Sequence, residues 1–352
     1  MIEMRRKLLT SGLVLGLLTA TTTAAPAHAA DVVSAPLVWG VPAARDAVAY
    51  WLADGGANLR NATPFTPPYD VRGQRASGVV EPPGKPLQIS PVPPMAEGDP
   101  PRTAGKVFFV GGDDRPHWCS GVAVQNQYHN LVATAAHCVY DMVGAPATTY
   151  HWVFIPGPAT DGTHPYGIYA GKQVFTHYDF TQYRDPDRDI AFVSVYSGVV
   201  PSGDGTLTTN GRLGDIVGGQ GLAYNQRIDE TTAPEVDVFG YPIGPHPDGS
   251  RPYTGQSLER SAGRVTATNL TSPEADRLVG VESPFTGEGS LGSAWLLGYE
   301  DERGLGYLNG VTAGVSDTDG DGRYDTGVSP YFDTSLAGVY KAAAANWTGR
   351  LT

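Results

Sequence analysis

Val107-Phe108-Phe109-Val110, Leu131-Val132-Ala133, His151-Trp152-Val153-Phe154-Ile155 and Ile190-Ala191-Phe192-Val193-Ser194-Val195 are short apolar, β-rich runs separated by Gly, Pro and Asp. Runs of this length, bounded by turn residues, predict strands. About 245 residues of such texture, after Arg102, predict a large sandwich or a pair of small barrels. Two stretches carry a helical period instead. Ala43, Ala44, Ala47, Val48, Trp51 and Leu52 predict one short helix, stopped at Gly55-Gly56. Leu336, Val339, Tyr340 and Ala343 to Ala345 predict a helix near the C-terminus, with Asp333 and Thr334 as candidate caps. There is no internal repeat.

Composition agrees with an all-β body. The 352 residues include 45 Gly and 29 Pro, which suit many strands joined by turns better than a helical bundle. Between residues 81 and 101 stand eight prolines, so that stretch is a linker and neither a helix nor a central strand. It reads either as a spacer behind a pro-segment or as an extended arm along the domain surface. The net charge of −12, with no basic block to neutralise a run of phosphates, argues against a nucleic-acid partner.

Residues 1–29 read as an export signal. Arg5, Arg6 and Lys7 precede an apolar stretch from Leu8 to Leu18, and Ala27-His28-Ala29 offers small residues at a cleavage site. A membrane anchor needs roughly 20 apolar residues, and Thr21 to Thr23 end this stretch too early. The expectation is a secreted protein with no membrane partner after signal removal, and a charge that falls from −12 to about −14. Two cysteines in an exported chain are expected to pair, here Cys119 with Cys138.

The chemistry concentrates around those cysteines. Trp118-Cys119-Ser120-Gly121 followed by Val132-Ala133-Thr134-Ala135-Ala136-His137-Cys138 resembles the histidine motif of the chymotrypsin-like (trypsin-like) serine peptidases. In that family a Thr-Ala-Ala-His-Cys run ends one strand, and its Cys bonds to an earlier strand. The resemblance implies a downstream Asp entering an apolar strand, and Asp189, before Ile190-Ala191-Phe192-Val193, fits. A carboxylate accepting the Nδ1 proton fixes the tautomer whose Nε2 takes the nucleophile's proton. Asp185 and Asp187 lack the apolar run immediately behind them and read as solvated turn carboxylates. Phe239-Gly240-Tyr241-Pro242 resembles a Gly-Tyr-Pro strand of bacterial members, Leu308-Asn309-Gly310-Val311-Thr312 the strand that binds substrate backbone, and Pro330-Tyr331-Phe332 and Ala49-Tyr50-Trp51 resemble exported actinobacterial members.

The family's nucleophile sits in a glycine-rich turn whose backbone N–H groups face the developing oxyanion. The matching stretch is Thr286-Gly287-Glu288-Gly289-Ser290-Leu291-Gly292-Ser293-Ala294-Trp295. Without a gap, Gly289 is the oxyanion glycine and the nucleophile position holds Leu291. With Leu291 as an insertion, Ser290 becomes the nucleophile, but Glu288 then replaces the oxyanion glycine. Both registers stand at the level of sequence. In the ungapped one, Phe285 lies at the base of the specificity pocket, which disfavours tryptic cleavage, and Ser290 replaces the Asp that receives a freed N-terminus in many animal members.

Asp317, Asp319, Asp321 and Asp325 hold positions 1, 3, 5 and 9 of a loop with Gly322 at 6, a layout suited to a structural calcium ion; position 12 is Val328 rather than Glu. The alternative is a solvated acidic hairpin tip. His117, His164 and His177 have no zinc-ligand spacing. The sequence therefore predicts an all-β, two-barrel chymotrypsin-like fold over 105–352 with a C-terminal helix, behind a signal (1–29) and a leader (30–104). The expected function is peptide-bond hydrolysis through His137, Asp189 and Ser290, without a required cofactor. The competing one is an inactive homologue that binds a protein or peptide in the same cleft.

Overall fold

The computed structural model describes residues 31–65, 73–74, 100–141, 147–158, 163–228, 233–245, 251–271, 274–283, 289–316 and 324–352. The elements that position the site are β1 (Val32–Pro36), α1 (Gly40–Asn61), β2 (Thr63–Pro64), β3 (Ala104–Val110), β4 (Pro116–Val124), β5 (Leu131–Thr134), β6 (Tyr150–Pro156), β7 (Tyr169–His177) and β8 (Ala191–Val195). They are followed by β9 (Glu235–Gly240), β10 (Glu259–Thr271), β11 (Glu274–Glu282), β12 (Ala294–Glu300), β13 (Leu305–Val311), β14 (Thr326–Pro330) and α2 (Thr334–Ala344).

Strands β7, β8, β5, β4, β3 and β6 are hydrogen-bonded in that order, and β6 returns to β7, which closes a first barrel. Its strands read as continuous apolar runs because both faces are covered. In β3, Val107 and Phe109 enter the barrel core, whereas Phe108 and Val110 pack outside it with Ala44, Ala47, Val48 and Trp51 of α1. Those four helix residues recur at i, i+3, i+4 and i+7, the spacing of one buried face. Trp51 is fully buried, and its indole N–H donates to the carbonyl of His151 at 2.5 Å.

The helix differs from expectation at Gly55-Gly56. Ala53 to Gly56 leave helical geometry, with Asp54, Gly55 and Gly56 at φ 50°, 64° and 83°, yet the chain resumes a further turn to Asn61. The glycines make a kink rather than an end. The segment before the barrels also contributes strands. β1 adds antiparallel to β7 from Val32 opposite His177 to Pro36 opposite Gln173. β2 lies parallel to β4, with Thr63 opposite His117 and Pro64 opposite Trp118. Of the Pro-rich linker, only Pro100 and Pro101 fall among the described residues.

The second body is a curled sheet in the order Gly221–Leu222, β13, β12, β9, β10, β11, β14, Gly314–Ser316. Val236, Val238, Val265, Val279, Val281, Trp295 and Tyr331 form its core. Helix α2 begins where expected. Asp333 is its N-cap, accepting from the Leu336 N–H at 2.9 Å, and buried Leu336, Val339, Tyr340 and Ala343 turn toward the first barrel, where Tyr340 meets Phe192 edge-on at 5.6 Å. The mostly β, two-body architecture with its closing helix matches the sequence expectation. Among the described residues no helix is long and apolar enough to cross a membrane.

Candidate active site

β5 runs out at Thr134, and a single 3-10 turn, Ala136–Cys138, carries His137 to the junction of the two bodies. Only small side chains flank it, so the turn packs tightly against the barrel end. Cys138 is bonded to Cys119 of β4. The two sulfurs and a ring nitrogen of His137 lie within 4.8 Å of one another, so the bridge stands beside the imidazole.

Asp189 reaches that imidazole from the opposite strand end. A short turn, Pro186–Arg188, is capped by Asp185, whose carboxylate accepts from the Asp187 N–H at 2.9 Å. The chain then enters β8. Asp189 Oδ2 lies 2.7 Å from His137 Nδ1, and Oδ1 accepts the His137 backbone N–H at 3.0 Å. Both side chains are buried, at 0% and 1% exposure. This two-point grip holds the ring with Nδ1 as donor and leaves Nε2 as the basic nitrogen. The neighbouring carboxylates are not simply solvated, as their sequence had suggested: Asp185 is a turn cap, and buried Asp187 accepts the Arg277 N–H at 3.1 Å. Arg188 and Arg277 both bind Asp333, at 2.8 and 3.2 Å, tying the Asp189 loop to the cap of α2.

The glycine turn is wired to the first barrel through Ser120, a residue to which the sequence assigned no role. Its N–H donates to the Leu291 carbonyl at 2.8 Å, its hydroxyl donates to the Gly289 carbonyl at 3.2 Å and accepts the Tyr241 N–H at 3.1 Å, and its carbonyl accepts from the Thr134 hydroxyl at 2.8 Å. Gly289 and Gly292 are at φ 83° and 84°. A Cβ would fall 2.4 Å from the Tyr241 carbonyl at the first and 2.0 Å from the Ser120 carbonyl at the second, so neither position admits a side chain without rebuilding the turn.

Leu291 is buried in the apolar cluster that includes Cys119, Ala136, Cys138 and Ala294. Ser290, equally buried, lines a small cavity in the second body with Val238, Val281, Ser283, Trp295, Thr312 and Gly327. The two adjacent residues thus serve different bodies. Phe285 and Glu288 lie outside the described residues, as do Asp317, Asp319 and Asp321 of the acidic loop; Asp325 is described, its N–H donating to the Ser316 carbonyl at 3.0 Å.

One participant comes from before the barrels. The Phe65 N–H donates to the Trp118 carbonyl at 2.9 Å, extending the β2 pairing, and the Phe65 ring stacks on His137 with centroids 6.0 Å apart. Thr63 Oγ1 sits 3.1 Å from His117 Nδ1, and His117 Nε2 lies 3.1 Å from Asp113. Nothing in the composition of the leader singles out Phe65. Its importance follows from the strand that delivers it.

Residues 97–232 match the protein-family model described as Trypsin. Among solved structures, the protease Anisep from Arthrobacter nicotinovorans is similar, with a TM-score of 0.56 and 26% identity over 71% of this chain and 99% of that one. Over residues 97–232 the chain thus resembles the trypsin-like serine peptidases, and its fold is that of a bacterial serine protease. A thermostable serine protease, AL20, from an extremophilic microorganism shares the fold, with a TM-score of 0.54 and 22% identity over 70% of this chain and 99% of that one. No curated protein sequence matches it. His137 and Asp189 fall within the matched residues, and the glycine turn lies beyond them.

Proposed function

We propose that this chain is an exported trypsin-like protein that binds an extended polypeptide in the cleft between its barrels and does not hydrolyse it. The observation that carries this reading is the placement of Leu291. Its carbonyl is held by the Ser120 N–H and its side chain is buried in the core cluster, while Ser290 lines the second body's cavity. Acyl transfer needs a hydroxyl or thiol within about 3 Å of the base nitrogen. A leucine supplies neither. Polypeptide as the ligand is supported by the family and by the way β2 and Phe65 already lie along β4.

A second reading keeps hydrolysis with Ser290 as nucleophile. The intact His137–Asp189 pair at 2.7 Å favours it. A fluorophosphonate probe followed by mass mapping separates the two. The proposed reading expects no adduct on the exported wild-type chain and an adduct on the new hydroxyl of the Leu291→Ser variant, where Gly289 is already in place. A probe adduct on Ser290 of the wild type, abolished by Ser290→Ala and by His137→Ala, overturns it. No cofactor is required for this function. Calcium at Asp317, Asp319, Asp321 and Asp325 is proposed from the sequence pattern, with melting in excess chelator against millimolar calcium as its test.

A further inference from the structure

On the outer face of β3, Phe108 and Val110 are covered by α1, and Lys106 occupies the same face two residues earlier. There the covering helix has kinked at Ala53–Gly56, and a cavity of about 820 Å³ opens beneath the kink. Leu52, Phe108, Ile155 and Ile243 give it apolar walls. Lys106 is 9% exposed, with Nζ 3.8 Å from the centre of the Trp118 ring and 5.1 Å from that of Tyr241. Aromatic faces compensate part of the lost hydration of an ammonium but provide no counter-charge.

Of the described residues lining the cavity, Lys106 and Arg60 are cationic and none carries a carboxylate. In a chain of net charge −12, the described lining is locally inverted in sign. The volume falls in the usual range for small-ligand sites, roughly 300–1,000 Å³, which combine apolar walls with a few placed polar groups. Arg60 donates to the carbonyls of Asp54 and Gly55 and is exposed, so the deep anchor is the single ammonium of Lys106. One buried point charge suits a singly charged anion; a phosphate dianion calls for several convergent donors.

We propose that this cavity binds an apolar monocarboxylic acid, its carboxylate paired with Lys106 and its hydrocarbon part against Leu52, Phe108 and Ile243. Desolvation holds the Lys106 ammonium at about 7, and an arriving carboxylate would raise it. The proposal is independent of whether the cleft hydrolyses peptides, because no step of it passes through His137.

Octanoate is the probe, with 1-octanol as its uncharged counterpart, titrated calorimetrically into the exported full chain. Octanoate is expected to bind wild type, and Lys106→Met to weaken it at least tenfold while changing octanol binding less than threefold. Lys106→Arg, which keeps the charge, is expected to retain octanoate, and Leu52→Trp, which fills the cavity, to lose both ligands. These two variants decide the matter if Lys106→Met fails to fold. Absence of octanoate binding to wild type at millimolar concentration overturns the proposal, as does equal binding by Lys106→Met or undiminished binding by Leu52→Trp.

Discussion

Phe65 lies over the imidazole of His137 with the ring planes 28° apart, and His137 has no exposed surface. A residue from the leader thus forms the lid of the candidate active site, delivered by the backbone bond from Phe65 N–H to the Trp118 carbonyl. Replacing Phe65 by Ala is expected to uncover the imidazole. Diethyl pyrocarbonate should then modify His137 several-fold faster than in wild type, read by peptide mass mapping. Equal rates in the two proteins would mean that some other element screens the ring.

The grip of Asp189 on His137 has two separable parts. Asp189→Ala removes both acceptors from a buried N–H and a buried ring nitrogen and is expected to cost about 3 kcal/mol in urea unfolding. Asp189→Asn can still accept the backbone N–H but offers an N–H₂ group to Nδ1, which favours the opposite tautomer. Its stability loss should be smaller, and the ¹⁵N shifts of His137 should show the proton moved to Nε2. An unchanged tautomer would show that Asp189 does not set it.

The Cys119–Cys138 bond closes a loop with a sequence separation of 19. Replacing both cysteines by Ala should lower stability by about 3 kcal/mol on chain-entropy grounds. Thiol counting on the denatured, unreduced protein should find none; two free thiols would contradict the bridge.

Lys106 gives stability a pH dependence of definite sign. Burial lowers its pKa from 10.5 to about 7, so across that window the unfolded chain holds more of this proton than the folded chain. The group's contribution to stability therefore rises with pH through the window and is least favourable below about 7. Lys106→Met lacks this dependence. Its melting temperature, relative to wild type, should be highest near pH 7 and should fall toward pH 10. A difference that stays constant with pH would show that the ammonium is not desolvated.

The barrel strands were legible because α1 covers the outside of β3, so that Val107 to Val110 form an unbroken apolar run rather than an alternating one. His137 and Asp189 were legible through the resemblance of their flanking runs to the family's motifs, and the structure brings the two together. β1 was not, since Val32-Val33-Ser34-Ala35-Pro36 is a weak edge segment whose pairing depends on β7 far along the chain. The same holds for Ser120, an unremarkable serine until its four hydrogen-bond partners come together. The burial of Lys106 likewise depends on Trp118, Tyr241 and a helix that arrives from another part of the chain. Spacing left Ser290 and Leu291 as alternatives, and which body each side chain enters is set by contacts far along the chain.

The pairing of β1 with β7 also bears on the order in which the molecule can be assembled. During synthesis β1 is made long before its partner, and the edge of β7 cannot be capped until nearly all of the first barrel has emerged. The earliest of the described strands to be made is therefore among the last of its barrel to be seated, and until then β7 presents bare backbone donors and acceptors to any neighbouring chain. A molecule trimmed between β1 and β3 before that moment would keep an open, adhesive sheet margin, whereas trimming afterwards would leave a margin already sealed by a segment held through its own hydrogen bonds.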